Sequence, residues 1–241
     1  MSLHLSIVLP AYDEAHRIGP SVDRVLAWLD RQPFAGELIV VSDGSRDATA
    51  AVARQAGKGR ARVLENAVNR GKGHAVRCGV RAAQGDVVLF SDADLSTPIE
   101  EAARMLGAHA AGYDVAFGSR ALPASDVRVR QAWWRESMGR VFNRIVRGVA
   151  AAGMDDTQCG FKSFRRDAAR AIFERTRIDR YAFDVELLWI ARRLGHRVAE
   201  VPVVWCNDPE SKVHPVRDAS RMLVDLAWIR WHAARGRYDG P

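Results

Sequence analysis

Two carboxylates one residue apart, Asp92 and Asp94, close the segment Asp86-Val87-Val88-Leu89-Phe90-Ser91. The run before them has the composition of a buried strand. In an open α/β sheet the ligand crevice lies where such strands end. Two acidic side chains there repel each other unless a cation sits between them, so the pair suits a divalent metal held for a phosphate-bearing substrate. The same residues also suit a strand-to-helix turn, with Asp94 or Ser96 capping a helix that starts near Pro98.

Three more clusters could join the acidic pair. Pro10-Ala11-Tyr12-Asp13-Glu14 follows one strand-like run, and Ser42-Asp43-Gly44-Ser45-Arg46-Asp47 follows a second. Asn69-Arg70-Gly71-Lys72-Gly73-His74 precedes a helical stretch. All four sit at the same expected edge of one sheet, and that convergence argues for a single ligand more strongly than any one motif. Asp43 can accept nucleobase N–H bonds or serve as a turn residue. Gly71 and Lys72 bring backbone amides and an ammonium to phosphate at a helix start, without the spacing of a P-loop.

The elements that must hold these groups alternate through the first half. Strands are expected at Leu5–Leu9, Glu37–Val41, Arg62–Leu64, Asp86–Phe90 and Asp114–Phe117, and helices at Ser21–Leu29, Asp47–Gln55, Gly73–Ala83 and Pro98–Ala110. That order predicts an α/β fold with a mostly parallel sheet and helices on both faces. Residues 121–130 read as a mobile surface loop. Beyond it come a helix at Trp133–Ala151, a strand at Gly160–Phe164, a helix at Asp184–Arg193, a strand at Arg197–Val204 and a closing helix near Val216–Arg235. Asp184 reads as an N-cap, and Glu186 as a group that orients Lys212 or an arginine. On the closing helix Ala219, Met222, Leu223, Leu226 and Ile229 share one face, widened by Val224, Trp228 and Trp231. That surface suits core packing and a membrane interface alike.

At 241 residues and 48% hydrophobic, the chain suffices for one domain, with a half to residue 120 for the ligand edge and a half from 121 onward. No apolar run reaches transmembrane length, and the start has no signal-peptide pattern. Cys78, Cys159 and Cys206 lack metal spacing and suit a reducing cytosol; Cys159 reads as a packing residue. The net charge of +7 is clustered, with seven arginines between Arg120 and Arg147. Tryptophans among the arginines point to a lipid surface at the cytoplasmic membrane face, and no nucleic-acid motif accompanies them.

The four clusters together resemble glycosyltransferase family 2, enzymes of the GT-A fold. Within it, Asp156-Thr157-Gln158-Cys159-Gly160-Phe161-Lys162, Phe183-Asp184-Val185-Glu186 and Ser211-Lys212-Val213 resemble the polyprenyl-phosphate branch, and there the dolichyl-phosphate glucosyltransferases. The resemblance runs from Ser6 to about Arg230. It implies that Pro10, Ala11, Tyr12, Glu14 and Asp43 surround the base of a nucleotide sugar. It implies that Asp92 faces ribose and metal, that Asp94 binds Mg²⁺ or Mn²⁺, and that Arg120, with Arg135 as a second candidate, meets the acceptor phosphate. Asp156, Gln158 and Lys212 join the substrate-binding set. The chain differs from the family pattern in Ser42, Asp13 and Ser96. Mannose-transferring relatives carry a metal-binding Gln in the place of Ser96, so Ser96 favours glucose.

The implied activity is inverting transfer of glucose from UDP-glucose to a polyprenyl phosphate. A phosphate acceptor is already anionic and needs no general base, whereas a hydroxyl would need one, for which Asp156 is the candidate. The alternatives are a soluble acceptor, a GDP-mannose donor, a non-catalytic nucleotide-binding protein, and a nucleotidyltransferase, which would want a basic Gly-rich loop after the first strand.

Overall fold

The computed structural model describes residues 3–129, 153–206 and 215–239. The expected helix at Trp133–Ala151 lies outside these residues, as do Trp134, Arg135 and Lys212.

The first half folds as the alternation requires: β1 His4–Ala11, α1 Ile18–Leu29, β2 Ala35–Asp43, α2 Thr49–Gly57, β3 Ala61–Asn66, α3 Lys72–Ala82, β4 Val87–Ser91, a 3₁₀ turn at Ile99–Glu101 running into α4 Ala102–Ala110, and β5 Val115–Ser119. Then come β6 Asp126–Val129, β7 Phe161–Arg165, α5 Arg166–Arg175, α6 Phe183–Arg193, β8 Val198–Pro202, β9 Val204–Cys206 and α7 Pro215–Ala234. Seven strands form one sheet in the order β3-β2-β1-β4-β7-β5-β8. All its pairings are parallel except those of β7, which runs antiparallel to both β4 and β5.

Both faces of the sheet are covered, so its central strands are nearly continuous apolar runs. Successive side chains point to opposite faces. Leu5, Ile7, Leu9, Leu38, Val40 and Leu89 meet the residues of α1, α2 and α4. Val8, Ile39, Val41, Val88 and Phe90 meet those of α3, α5, α6 and α7. Pro10 lies past the β4 pairing, which ends at Val8 opposite Phe90, so its missing N–H costs no bond on that side.

Three expectations change. Residues 121–130 do not form a simple loop over their described part, because β6 pairs in parallel with β9 in a separate two-stranded sheet. The strand expected at Arg197–Val204 breaks after Pro202: β8 stays in the main sheet and β9 leaves it for β6. Helix α5 was not anticipated, although Ala168, Ala169, Ile172 and Phe173 are buried at helical spacing.

Helix α7 divides its apolar residues between two surroundings. Met222, Leu226 and Ile229 are buried, whereas Leu223, Val224, Trp228 and Trp231 are exposed. Leu223 therefore does not belong to the buried face. Arg235 stacks on Trp231, its guanidinium carbon 3.9 Å from the ring centre. No helix of the described residues is long and apolar enough to cross a membrane.

The chain end folds back onto α6. Glu186 accepts the amides of Arg177 and Ile178, at 3.1 and 3.0 Å, and the Tyr238 hydroxyl at 2.8 Å. These are its partners among the described residues; the expected partner Lys212 lies outside them. Burial pushes the Glu186 carboxyl up despite these three donors. Tyr238→Phe removes one hydrogen bond to this buried acid and is expected to cost about 2 kcal/mol in urea denaturation. A loss below about 0.5 kcal/mol would show that the two amides alone satisfy Glu186.

Candidate active site

The carboxyl ends of β1, β2, β3 and β4 deliver the motif residues to one edge. Ala11 pairs with Ser42 at the end of β1 and β2, and Asp43 pairs with Asn66 at the end of β3. That register lets Asn66 Nδ2 donate to Asp43 Oδ1 at 2.7 Å. The other Asp43 oxygen accepts the amides of Arg70 and Gly71 at 3.0 and 2.7 Å. Asp43 thus shapes the turn that carries Gly71 and Lys72. Gly71 holds φ at +117°, and a Cβ there would come within 2.5 Å of the Asp179 carbonyl. Only glycine fits that turn without strain.

The β1 turn is held from the same side. The Glu14 amide donates to Thr49 Oγ1 at 2.8 Å, and its buried carboxylate pairs with Arg17. Asp13 has positive φ and accepts the Arg46 amide at 2.7 Å. Ser42 and Ser45 share a hydroxyl bond of 2.9 Å. Tyr12 is half-buried beside them.

Asp92 and Asp94 follow β4 directly. The Asp92 amide donates to the Gly160 carbonyl at 3.1 Å, and a Cβ on Gly160 would lie 2.1 Å from Asp92 Oδ2. Gly160 therefore makes room for this carboxylate. The Lys72 ammonium sits 2.5 Å from Asp92 Oδ1. Burial would push Lys72 down, but Asp92 and Asp184 outweigh it and hold the ammonium above its usual range. Asp94 accepts the Ser96 amide at 2.8 Å, so it does close a turn. Burial, and then the Asp92 charge, push the Asp94 carboxyl up. Two close carboxylates, one already holding a cation, match the donor chemistry of a hard divalent ion. Among the described residues no group of three His, Cys, Asp or Glu side chains forms a complete metal shell.

A second charged group lies alongside. Asp156 is buried and accepts Arg120 Nε and Nη2 at 2.6 and 2.8 Å and the Arg120 amide at 2.9 Å. Burial alone would raise the Asp156 carboxyl, but Arg120 holds it below the usual carboxylate range. Trp205 on β9 underlies Arg120, with the guanidinium carbon 5.3 Å from its ring centre. The Cys206 amide donates to the Ser96 carbonyl at 2.8 Å and ties β9 to the acidic turn. Gln158 Nε2 lies 3.7 Å from Met222 Sδ on α7. Cys159 is buried, which pushes its thiol up to about 11, in keeping with a packing role.

Beneath both groups lies a charge pair that the sequence did not disclose. Lys162, in mid-sheet on β7, is fully buried and reaches Asp184 Oδ1 at 2.5 Å and the Cys159 carbonyl at 2.6 Å. Asp184 is therefore an ion-pair partner, not an N-cap. Glu200 on β8 accepts the Asp155 and Asp156 amides at 2.9 Å each. Its one sequence signal is an acid between apolar neighbours in a strand.

Comparisons with known proteins identify the family and the fold. The model of the family "Glycosyl transferase family 2" matches residues 6–173. A dolichyl-phosphate beta-glucosyltransferase of Drosophila melanogaster is 39% identical over 95% of this chain and 76% of its own length. The human protein of that name is 34% identical over 97% of this chain and 77% of its own length. Among solved structures, glucosyl-3-phosphoglycerate synthase of Mycobacterium tuberculosis, in complex with Mn²⁺, UDP and glucosyl-3-phosphoglycerate, superposes with a TM-score of 0.67 at 21% identity, over 99% of this chain and 81% of that one. It shares the GT-A fold. With the motifs at one sheet edge and the family model covering most of the chain, this protein is a member of glycosyltransferase family 2.

Proposed function

We propose that the protein transfers glucose from UDP-glucose to a polyprenyl phosphate of dolichyl type, with inversion, at the cytoplasmic face of a membrane. The observation that carries this reading is the joining of Asp92, Asp94 and Lys72 beside the Asp43-held turn, in a chain similar along nearly its whole length to dolichyl-phosphate glucosyltransferases. Pro10, Ala11, Tyr12, Glu14 and Asp43 line the base, and Gly71 and Lys72 face the diphosphate. Asp92 and Asp94 would hold Mg²⁺ or Mn²⁺, which would supply charge neutralisation for a diphosphate leaving group. Arg120, with Arg135 as a second candidate, meets the acceptor phosphate; Gln158 and Lys212 belong to the same substrate-binding set. Asp156 is a weak base because Arg120 holds its carboxyl low. That suits an acceptor that arrives as an anion and attacks without losing a proton. The exposed Trp228, Trp231, Leu223 and Val224 on α7, with Arg235 stacked on Trp231, support docking on a lipid surface.

The test supplies the protein with Mg²⁺ or Mn²⁺, a polyprenyl phosphate in detergent, and labelled UDP-glucose, UDP-N-acetylglucosamine or GDP-mannose in separate reactions. Label from UDP-glucose is expected in the organic phase, as a β-linked glucosyl phosphate by NMR. An α-linked product would overturn inversion. Donor consumption with only water-soluble product would replace the lipid by a soluble acceptor.

The close approach at Gly160 gives a sharper check. In Gly160→Ala the new methyl must displace Asp92, and a shift of about 1 Å at a reacting centre costs on the order of a hundredfold in rate. Turnover is expected to fall by that order while the melting temperature changes little. Unchanged turnover would mean that the Asp92 position is unimportant.

A further inference from the structure

We infer that the Lys72 ammonium stands in for the divalent cation on Asp92 in the free protein, so that metal and nucleotide diphosphate bind as a unit instead of metal first. This rests on the donor reading above.

Lys72 is the first residue of α3. A cation at a helix N-terminus faces the positive end of the helix dipole and is disfavoured there unless acids hold it. Asp92 does so at 2.5 Å, and the Asp184 charge also favours the ammonium. Asp184 is fixed in turn by Lys162, which spans it and the Cys159 carbonyl inside the sheet. Lys72 is therefore bound to a carboxylate at the site edge and feels the charge of a second one anchored in the core. Its side chain is 21% exposed and that of Asp92 is 36% exposed, so the pair sits at the mouth of the site and can be exchanged.

A dication arriving alone must share Asp92 with an ammonium already on it, and the two positive groups repel. A dication arriving with a diphosphate meets a different balance. The anionic oxygens take over Lys72 at the helix start, where amides and dipole also favour them, and Asp92 is released to the metal. Each ligand then strengthens the other by the same factor, as linkage demands.

The test is Mn²⁺ binding, read by electron paramagnetic resonance on the full chain, with and without UDP. In the wild type, UDP is expected to tighten Mn²⁺ binding by about tenfold or more. In Lys72→Met, Mn²⁺ alone is expected to bind about tenfold tighter than in the wild type, and UDP to add little. Lys72→Gln, which keeps polarity without charge, should behave likewise and guards against a folding defect in one variant. A lysine that merely bound phosphate would leave the affinity for Mn²⁺ alone unchanged, so an unchanged or weakened value in both variants overturns the inference. Mn²⁺ binding that survives Asp94→Asn would overturn the donor reading itself, and this inference with it.

Discussion

Asp94→Ala is expected to reduce glucosyl transfer by about a thousandfold, equivalent to about 4 kcal/mol of transition-state stabilisation. The chain should keep its fold. In the native protein Asp94 makes one main-chain bond, to the Ser96 amide, and its carboxyl is pushed up by burial and by Asp92. A carboxyl whose folded pKa lies above its unfolded value costs stability once the pH exceeds that value, because the ionised form is the disfavoured one. The penalty is therefore present at neutral and mildly basic pH, and the variant loses it together with one hydrogen bond. Its melting temperature at pH 8 is expected to equal or exceed that of the wild type. Label transfer to lipid and thermal melting, on the same preparation, separate the two effects. Activity within tenfold of wild type would remove Asp94 from the chemistry, whatever the stability.

The second large effect concerns stability. Lys162 and Asp184 form a charge pair with side chains 0% and 6% exposed. Lys162→Met leaves the Asp184 carboxylate in the core with only the more distant Lys72, and Asp184→Asn leaves the Lys162 ammonium with the Cys159 carbonyl. Breaking a buried pair from one side costs about 3–5 kcal/mol, because the surviving charge is uncompensated. Replacing both partners by apolar residues, Lys162→Met with Asp184→Leu, should recover most of that loss in urea denaturation. If each single substitution and the double one cost the same, the pair contributes through packing and not through charge.

Much of the sheet edge that carries Asp92 and Asp94 was legible because strands buried on both faces write themselves as apolar runs. Val87-Val88-Leu89-Phe90 could be nothing else when followed at once by a polar turn, and that fixed the whereabouts of Asp92 and Asp94. The turns after β1 and β2 were legible from Pro10 and Gly44 for the same reason. The groups that escaped depend on contacts across long stretches of chain. Lys162 finds Asp184 22 residues later, and Asp156 finds its amide acceptor Glu200 44 residues later. No local period encodes such pairs. A lysine in mid-strand did carry a signal, since a cation there has to find a partner. The departure of β9 from the main sheet was hidden because Arg197 to Val204 reads as one strand-like run until the sheet order shows where its last residues pair.

Strand β7 has a consequence for how the molecule can be divided. It is laid down after the chain has left the sheet at Ser119, and it returns antiparallel between two strands already made, β4 and β5. Until residues 161–165 arrive, β4 carries an unpaired edge next to the acidic turn, and β5 has no link to the rest of the sheet. A fragment ending near residue 120 would expose that edge to any passing strand, a template for aggregation. During synthesis the strands up to Ser119 must therefore wait for β7, and replacing the segment that carries it means rebuilding the middle of the sheet.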